Sequence, residues 1–184
     1  MVLSLASRTA ALVRHVDVTQ ILRRTDSGIY LGHSADLGWG RVYGGQTMAQ
    51  GLAAAQSLVG EGPAGEGRRV HQLSCHFLRP GDVKKDVEVE ADLLSDGRSF
   101  AVAHVRAIQH GKAILAMTAS FQTPEAGMSH SFQHRADQGG PALRQEWGKP
   151  EDLVSIHDLM KPYVEGIPKQ LRPLYQVQQP IDVR

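Results

Sequence analysis

Two groups of residues in this sequence have types and spacing suited to chemistry on a polar reactant, and the first is Gly44-Gly45-Gln46. These residues come directly before a run with helical spacing. Glycine lets other groups approach the backbone closely, and the first N–H groups of a helix have no acceptor inside it. Such a segment could polarise a carbonyl group or hold an anion. The alternative is that the glycines only form the turn into the helix.

The second group lies on the last strand-like run, where Gln122 shares a polar face with Thr118 and Ser120. The amide of Gln122 could orient a water molecule, or it could sit at an exposed strand end with no part in chemistry. The sequence therefore offers one candidate binding segment, residues 44–46, and one candidate residue for activating water.

Other familiar catalytic and metal-binding motifs are incomplete in this sequence. Residues 97–101 read G-R-S-F-A and depart from the G-x-S-x-G nucleophile elbow in the last residue. Cys75 and His76 are neighbours in a predicted strand and would point to opposite faces, so we expect Cys75 to be a core residue. His130 and His134 lack the glutamate of an H-E-x-x-H motif. The sequence therefore predicts no metal site.

The overall composition excludes several classes of partner. The chain has 184 residues, with 20 Lys and Arg against 19 Asp and Glu, so it carries no strong field for a nucleic acid. It has no run of about 20 apolar residues that could span a bilayer. With one cysteine it cannot form an internal disulfide. We expect a cytoplasmic protein that binds neither nucleic acid nor membrane.

The elements that must position the two groups are one helix and an antiparallel sheet. Residues 46–59 have helical spacing, many small side chains and no charge, which is typical of a buried central helix. A short strand, 27–32, precedes it. Four further strand-like runs alternate with turn signals and predict a meander in an α+β fold, and they cover residues 70–78, 87–94, 99–109 and 112–123.

Both ends of the chain differ from this central part. Apolar residues within 7–24 have the spacing of an amphipathic helix. After Pro124 a polar stretch predicts a linker, which contains one helix over 151–164 that Pro162 interrupts or ends. We expect the remaining residues to be extended. The domain prediction is an N-terminal helix at 1–26, a folded domain at 27–124 and a linker at 125–184.

Five ordered motifs make the sequence recognisable. Together they resemble the type II acyl-CoA thioesterases, and they are Ser34–Gly38 (SADLG), Val42–Gln46 (VYGGQ), His76–Asp82 (HFLRPGD), Asp96–Phe100 (DGRSF) and Met117–Gln122 (MTASFQ). The resemblance implies a double hotdog fold, in which two hotdog domains, each a helix wrapped by a curved sheet, pack side by side. Residues 27–124 would be the first hotdog, and 125–184 would lead towards a second that lies outside this sequence.

The resemblance also implies an activity, the hydrolysis of fatty acyl-CoA to free fatty acid and coenzyme A, with no cofactor because coenzyme A is part of the substrate. The family holds its catalytic Asp, Thr or Ser, and Gln in the second hotdog. In the first hotdog Gln122 resembles, through the internal repeat, the catalytic Gln, and Gly44, Gly45 and Gln46 would bind substrate. The helix has no Asp, Glu or His to act as a base.

Two functions therefore remain open. One is the N-terminal half of an acyl-CoA thioesterase of fatty acid metabolism, weakly active or inactive alone. The other is a non-catalytic hotdog that binds acyl-CoA or forms homo-oligomers through an edge strand. An enoyl-CoA hydratase would need an acid and histidine pair near the substrate, and the uncharged helix argues against it.

Overall fold

The computed structural model describes residues 21–22, 29–60, 62, 67–129, 152–177 and 183. The chain divides into two compact units, Met1–Pro124 and Glu125–Arg184. In chain order the elements of the first unit are β1 (Ile21–Leu22), β2 (Ile29–Gly32), α1 (Gly44–Gly60), β3 (Arg69–Phe77), β4 (Val87–Asp96), β5 (Phe100–Gln109) and β6 (Lys112–Gln122).

The six strands form one antiparallel sheet in the order β1-β2-β4-β5-β6-β3, and α1 packs against one face of it. Alternation of side chains explains which face is covered. Val87 and Val89 are fully buried under α1, while Glu88 between them is exposed. On β5 and β6 the helix-facing residues are mostly small or aliphatic, and they include Ala101, Ala103, Val105, Leu115, Met117, Ala119 and Phe121. This single helix on an antiparallel sheet confirms the predicted α+β class.

The place of β3 corrects the predicted meander. Of the four strands predicted for the meander, β4, β5 and β6 follow one another across the sheet, whereas β3 pairs with β6 at the far edge. The turn lengths explain the difference, because residues 78–86 form a much longer connection than the hairpins do. Leu78 N–H and Arg79 N–H both donate to the carbonyl of Ile114, so the chain follows the edge of β6 before it crosses to β4.

Two glycine-containing turns connect β4 to β5 and β5 to β6, and they differ from each other. His110 and Gly111 alone connect β5 to β6 and have φ angles of 52° and 68°, as the tight two-residue turn requires. The Asp96-Gly97 turn is longer, because β5 begins only at Phe100 and Gly97 N–H donates to the Phe100 carbonyl at 2.8 Å. A bulge between Leu93 and Ser95 precedes it and shifts the register of β4.

Small residues on α1 let it lie close to the sheet. Ala54 and Ala55 are fully buried, and a Cβ added at Gly51 would lie 3.0 Å from the terminal methyl of Met117. The helix begins at Gly44, two residues earlier than predicted. Cys75 is half-buried against the core, with its Sγ 3.4 Å from the sulfur of Met48, which agrees with the prediction of a core cysteine.

The N-terminal prediction fails at the two residues that the structure describes there. Ile21 and Leu22 form β1 and pair with Gly32 and Leu31 of β2, so they are not part of a helix. Apolar residues three or four apart suit a helix, but the open edge of β2 supplies backbone partners that local spacing does not reveal. The remainder of the predicted helix lies outside the described residues, as do His130 and His134.

The second unit contains three short helical segments: α2 (Ile156–Met160), a 3-10 helix (Lys161–Gly166) and α3 (Arg172–Gln176). Ser155 caps α2 by accepting a hydrogen bond from Asp158 N–H at 3.2 Å. The α-helix ends before Pro162, as predicted. Residues 172–176 are helical rather than extended, because Pro173 lies in the first turn, where a missing N–H costs no helical hydrogen bond.

Candidate functional site

A cleft of about 560 Å³ opens at the start of α1. Three segments line it: residues 39, 41–44 and 47 before and within the first turn of α1, residues 77–81 after β3, and residues 114–115 of β6. Its volume is in the range of small-molecule binding sites. The lining is mainly apolar and aromatic, and it contains no Asp, Glu or His among the residues that the structure describes.

Two loops meet at one wall of this cleft. Val42 N–H donates to the carbonyl of Gly81 at 3.0 Å, which ties the loop before α1 to the loop after β3. A Cβ added at Gly81 would lie 2.9 Å from the Cβ of Val42. The close approach of the two loops therefore requires glycine at position 81.

The first turn of α1 presents backbone donors beside this wall. The Tyr43 carbonyl accepts hydrogen bonds from Gln46 N–H at 3.0 Å and from Thr47 N–H at 3.3 Å. The N–H groups of Gly44 and Gly45 have no hydrogen-bond acceptor in the described part of the chain. Such paired amides can stabilise negative charge on a carbonyl oxygen.

The two glycines also make room for aromatic rings. A Cβ at Gly44 would lie 2.8 Å from Cε1 of Phe77, and one at Gly45 would lie 2.5 Å from Cε1 of Tyr43. The glycines therefore do more than form a turn, because they let two rings pack directly on the helix start. Apolar rings around amide donors reduce the local dielectric and strengthen a hydrogen bond to an incoming carbonyl.

Gln46, the third residue of the predicted binding segment, has a supporting contact. Its Nε2 donates to the carbonyl of His33 at 2.7 Å, and Nε2 of Gln50 donates to the same oxygen at 2.8 Å. Both glutamines are buried. Together they fasten the end of β2 to α1, and a Cβ at Gly32 would collide with the Gln50 side chain. A direct contact of Gln46 with substrate stays a prediction.

Gln122 lies at the opposite end of β6 from the cleft. Leu115 in the cleft pairs with Phe77, whereas Gln122 pairs with Arg69 at the start of β3. Seven residues of extended strand separate the two positions, which is about 23 Å. Within this chain the structure therefore does not bring Gln122 together with Gly44 and Gly45, and its catalytic role stays a prediction.

A further residue, Gln109, fixes a loop beside the cleft and was not predicted from the sequence. Its buried amide oxygen accepts a hydrogen bond from Asp82 N–H at 2.7 Å, and its Nε2 donates to the carbonyls of Asp82 at 2.9 Å and Lys85 at 2.7 Å. These bonds fix the loop directly after Gly81. The period-two pattern places Gln109 on the helix-facing side of β5, and a polar residue on an otherwise apolar face was the available clue.

The ionisation of Asp82 makes the stability of this loop depend on pH. Its carboxylate accepts a hydrogen bond from Lys84 N–H at 2.9 Å, and its other oxygen lies 3.1 Å from Nε2 of His110. These contacts, the Lys84 amide first, lower the pKa of Asp82 below its ordinary value. A lowered pKa means that the stabilisation is present above the unfolded-state pKa and is lost as the pH falls through the folded-state pKa.

We therefore expect the Asp82 carboxyl to titrate below 3.8 when it is followed by carbon-detected NMR. Asn at position 110 removes the ionisable partner but leaves the Lys84 hydrogen bond, so H110N should move the titration up only part of the way. A midpoint at or above 3.8 in the unsubstituted chain contradicts the loop geometry.

The helix, the antiparallel sheet around it and the cleft at the helix start define a hotdog domain. Residues 34–122 match the family model described as the acyl-CoA thioesterase N-terminal domain. Among curated relatives, acyl-CoA thioesterase 2 of Haemophilus influenzae is 33% identical over 163 residues, which are 89% of this chain and 52% of that protein. Human acyl-coenzyme A thioesterase 8 is 33% identical over 155 residues, 83% of this chain and 44% of that protein.

Two solved structures give the same result. An acyl-CoA thioesterase II from Mycobacterium marinum is 32% identical, with a TM-score of 0.51 over 63% of this chain and 42% of that chain. A TesB protein from Mycobacterium avium subsp. paratuberculosis is 27% identical, with a TM-score of 0.55 over 69% of this chain and 49% of that chain. Residues 34–122 are thus similar to the N-terminal domain of acyl-CoA thioesterases, as the motifs predicted, and the chain spans about half the length of the curated relatives that it matches.

Proposed function

We propose that this chain is the N-terminal hotdog half of an enzyme that hydrolyses fatty acyl-CoA to free fatty acid and coenzyme A. The observation that carries the proposal is the position of the cleft. Gly44 lines it, and the unpartnered amides of Gly44 and Gly45 lie at the start of α1, within the segment that matches the thioesterase N-terminal domain.

The proposed reaction is attack of water on the thioester carbonyl. A C–O bond forms as the carbonyl becomes a tetrahedral oxyanion, and the C–S bond then breaks to release coenzyme A as the thiol. Amide donors such as those of Gly44 and Gly45 are suited to stabilise the oxyanion. Water, thioester and protein groups suffice for this chemistry, so the proposal includes no cofactor.

One component of this reaction, a general base, is not found among the described residues of the cleft. The described cleft contains no carboxylate or imidazole to deprotonate water, and this step commonly contributes 10²- to 10⁴-fold to a rate. We therefore propose that a second hotdog domain supplies the base and that Gln122 contributes to holding the water from the distant end of β6. A cytoplasmic location, inferred from the single cysteine, and a role in fatty acid metabolism belong to the same proposal.

The edge strand β3 supports the second candidate, a hotdog that binds acyl-CoA or self-associates without turnover. All nine residues of β3 are exposed or half-buried, and among the described strands only β6 pairs with it. A long edge strand of this kind is a template for another strand. Either a second hotdog domain or a second copy of this chain could occupy it, and the latter would give a homo-oligomer.

Thiol release from medium- and long-chain acyl-CoA tests the first proposal against the second. The 184-residue chain is compared with a polypeptide that extends through a second hotdog domain, at equal molar concentration. We expect activity in the extended form and at least 100-fold less in the shorter chain, because the described cleft contains no carboxylate or imidazole to act as the base. Inactivity of both forms, with intact acyl-CoA binding, would favour the non-catalytic module. Equal activity of both would place a working site within these residues, and Q122A would then be the first variant to assay.

A further inference from the structure

Two arginines border the cleft at the start of α1. Arg41 lies in the loop before the helix and Arg79 in the loop after β3, and both side chains are exposed. The Val42–Gly81 hydrogen bond joins these loops, so the backbones that carry the two arginines are held together at the same cleft.

Neither guanidinium is neutralised by a carboxylate. Arg41 has no hydrogen bond or ion pair in the described part of the chain, and the cleft lining contains no acidic residue there. Elsewhere in the same unit arginines do find carboxylates, since Arg68 pairs with Asp96 and Arg106 with Glu90. The positive charge at the cleft is therefore available to an anionic ligand.

Arg79 is also oriented in advance. Its backbone N–H donates to the Ile114 carbonyl at 3.3 Å, and Nη1 donates to the Ala113 carbonyl at 2.6 Å. A guanidinium has five N–H donors, so this contact fixes its plane and leaves other donors for a ligand. Planar, fixed donors of this type are suited to phosphate oxygens.

The rest of the cleft fits an apolar chain rather than a second charged group. Phe77, Leu78 and Leu115 contribute apolar surface, and the almost fully buried Thr47 adds a hydroxyl near the helix start. A ligand that matches both halves of the cleft has a phosphorylated head joined to a flexible arm. Coenzyme A thioesters have this chemistry.

We infer that Arg41 and Arg79 form a phosphate-binding subsite that holds the nucleotide end of coenzyme A while its thioester arm enters the cleft towards Gly44. The inference rests on the proposed function, because it takes coenzyme A as the ligand. It adds a prediction that the proposed function does not make: the affinity of this half of the protein depends on the phosphates of the ligand.

Calorimetric titration of the chain with two non-hydrolysable ligands tests this inference. One ligand is the decyl thioether of coenzyme A, and the other is the decyl thioether of pantetheine, which lacks the nucleotide and all phosphates. The variants are R41Q and R79Q, with R98Q as the matched control. Arg98 is an exposed arginine in the loop between β4 and β5, near the Gln122 end of the sheet.

We expect R41Q and R79Q each to weaken binding of the coenzyme A ligand about fivefold to tenfold, since each removes one charge-assisted contact. Binding of the pantetheine ligand should stay within twofold in all variants, and R98Q should behave as the unsubstituted chain. Added salt should weaken binding of the coenzyme A ligand more in the unsubstituted chain than in R41Q.

A third titration, with the decyl thioether of 3′-dephospho-coenzyme A, tells which phosphate is bound. If R41Q and R79Q no longer weaken binding of this ligand, the arginines bind the 3′-phosphate. If they still weaken it, the arginines bind the pyrophosphate.

Equal affinity of the unsubstituted chain for the two thioethers would overturn the inference and leave the proposed function standing. An unchanged affinity of R41Q and R79Q for the coenzyme A ligand would do the same. Failure of the chain to bind either ligand would also overturn it. The proposed function itself fails by a different result, the absence of thiol release from the extended polypeptide, so the two failures are distinguishable.

Discussion

Replacing Phe121 by Ala is expected to lower the free energy of unfolding by about 3–5 kcal/mol. Phe121 is fully buried on the helix-facing side of β6, where it pairs with Ala101 on β5 and Val70 on β3. Ala101 and Ala119 are also fully buried and have no side-chain length to fill the space that the ring would leave. The cavity would therefore persist and add to the lost transfer energy.

Urea denaturation followed by circular dichroism measures this loss, which would be a large share of the roughly 5–15 kcal/mol typical of a domain. Phe77→Ala is the matched control, because it removes the same ring from a side chain that is 58% exposed. F77A should change stability by less than about 1 kcal/mol and should instead weaken ligand binding, since its ring lies on Gly44. Equal losses of stability in F121A and F77A would contradict the described core.

The second large effect is expected for Asp96→Ala, which should cost about 3 kcal/mol of stability. Nη1 of Arg68 lies 2.5 Å from Oδ1 of Asp96, and the Arg68 side chain is 0% exposed. The contact is a close ion pair rather than a well-directed hydrogen bond. Removing the carboxylate leaves a buried guanidinium without its counter-charge. This lowers the free energy of unfolding more than replacing both partners by apolar residues does.

Glu90→Ala provides the control for this prediction. Arg106 and Glu90 form the same type of pair at a distance of 2.6 Å, but their side chains are 50% and 30% exposed. Solvent screens this pair, so its loss should cost only about 0.2–1 kcal/mol. The double variant R68M/D96L should recover most of the stability lost in D96A, because an apolar pair needs no counter-charge. Similar costs for D96A and E90A would show that the Arg68 pair is not buried as described.

The elements around the site follow from local patterns in the sequence. The alternation of valine with glutamate in 87–90 predicts a strand with one covered face, and the uncharged run after Gly45 predicts a buried helix. Both were found, which is why the α+β class and the hotdog resemblance hold. The partner of β3 was not predictable in the same way, because alternation reports which face is buried and not which strand is adjacent.

Sequence patterns pointed to candidate site residues only where the groups concerned are backbone amides at a helix start. Gly44 and Gly45 were predicted because their residue type determines what the helix start can do, and their contact with substrate stays a prediction. Gln50 and Gln109 were missed because their partners, His33 and Asp82, are 17 and 27 residues away and meet them only through the fold. Arg41 and Arg79 were missed for a related reason, since the Val42–Gly81 contact brings their loops to one cleft.

The central claim is that the ligand binds at the start of α1, and amide NMR spectra of the isotopically labelled chain test it most directly. Titration with the decyl thioether of coenzyme A should shift the amide signals of Gly44, Gly45 and Gly81 more than those of any strand residue beyond the cleft. Unchanged signals of these three glycines, with the largest shifts around Gln122 at the other end of β6, would contradict ligand binding at the start of α1.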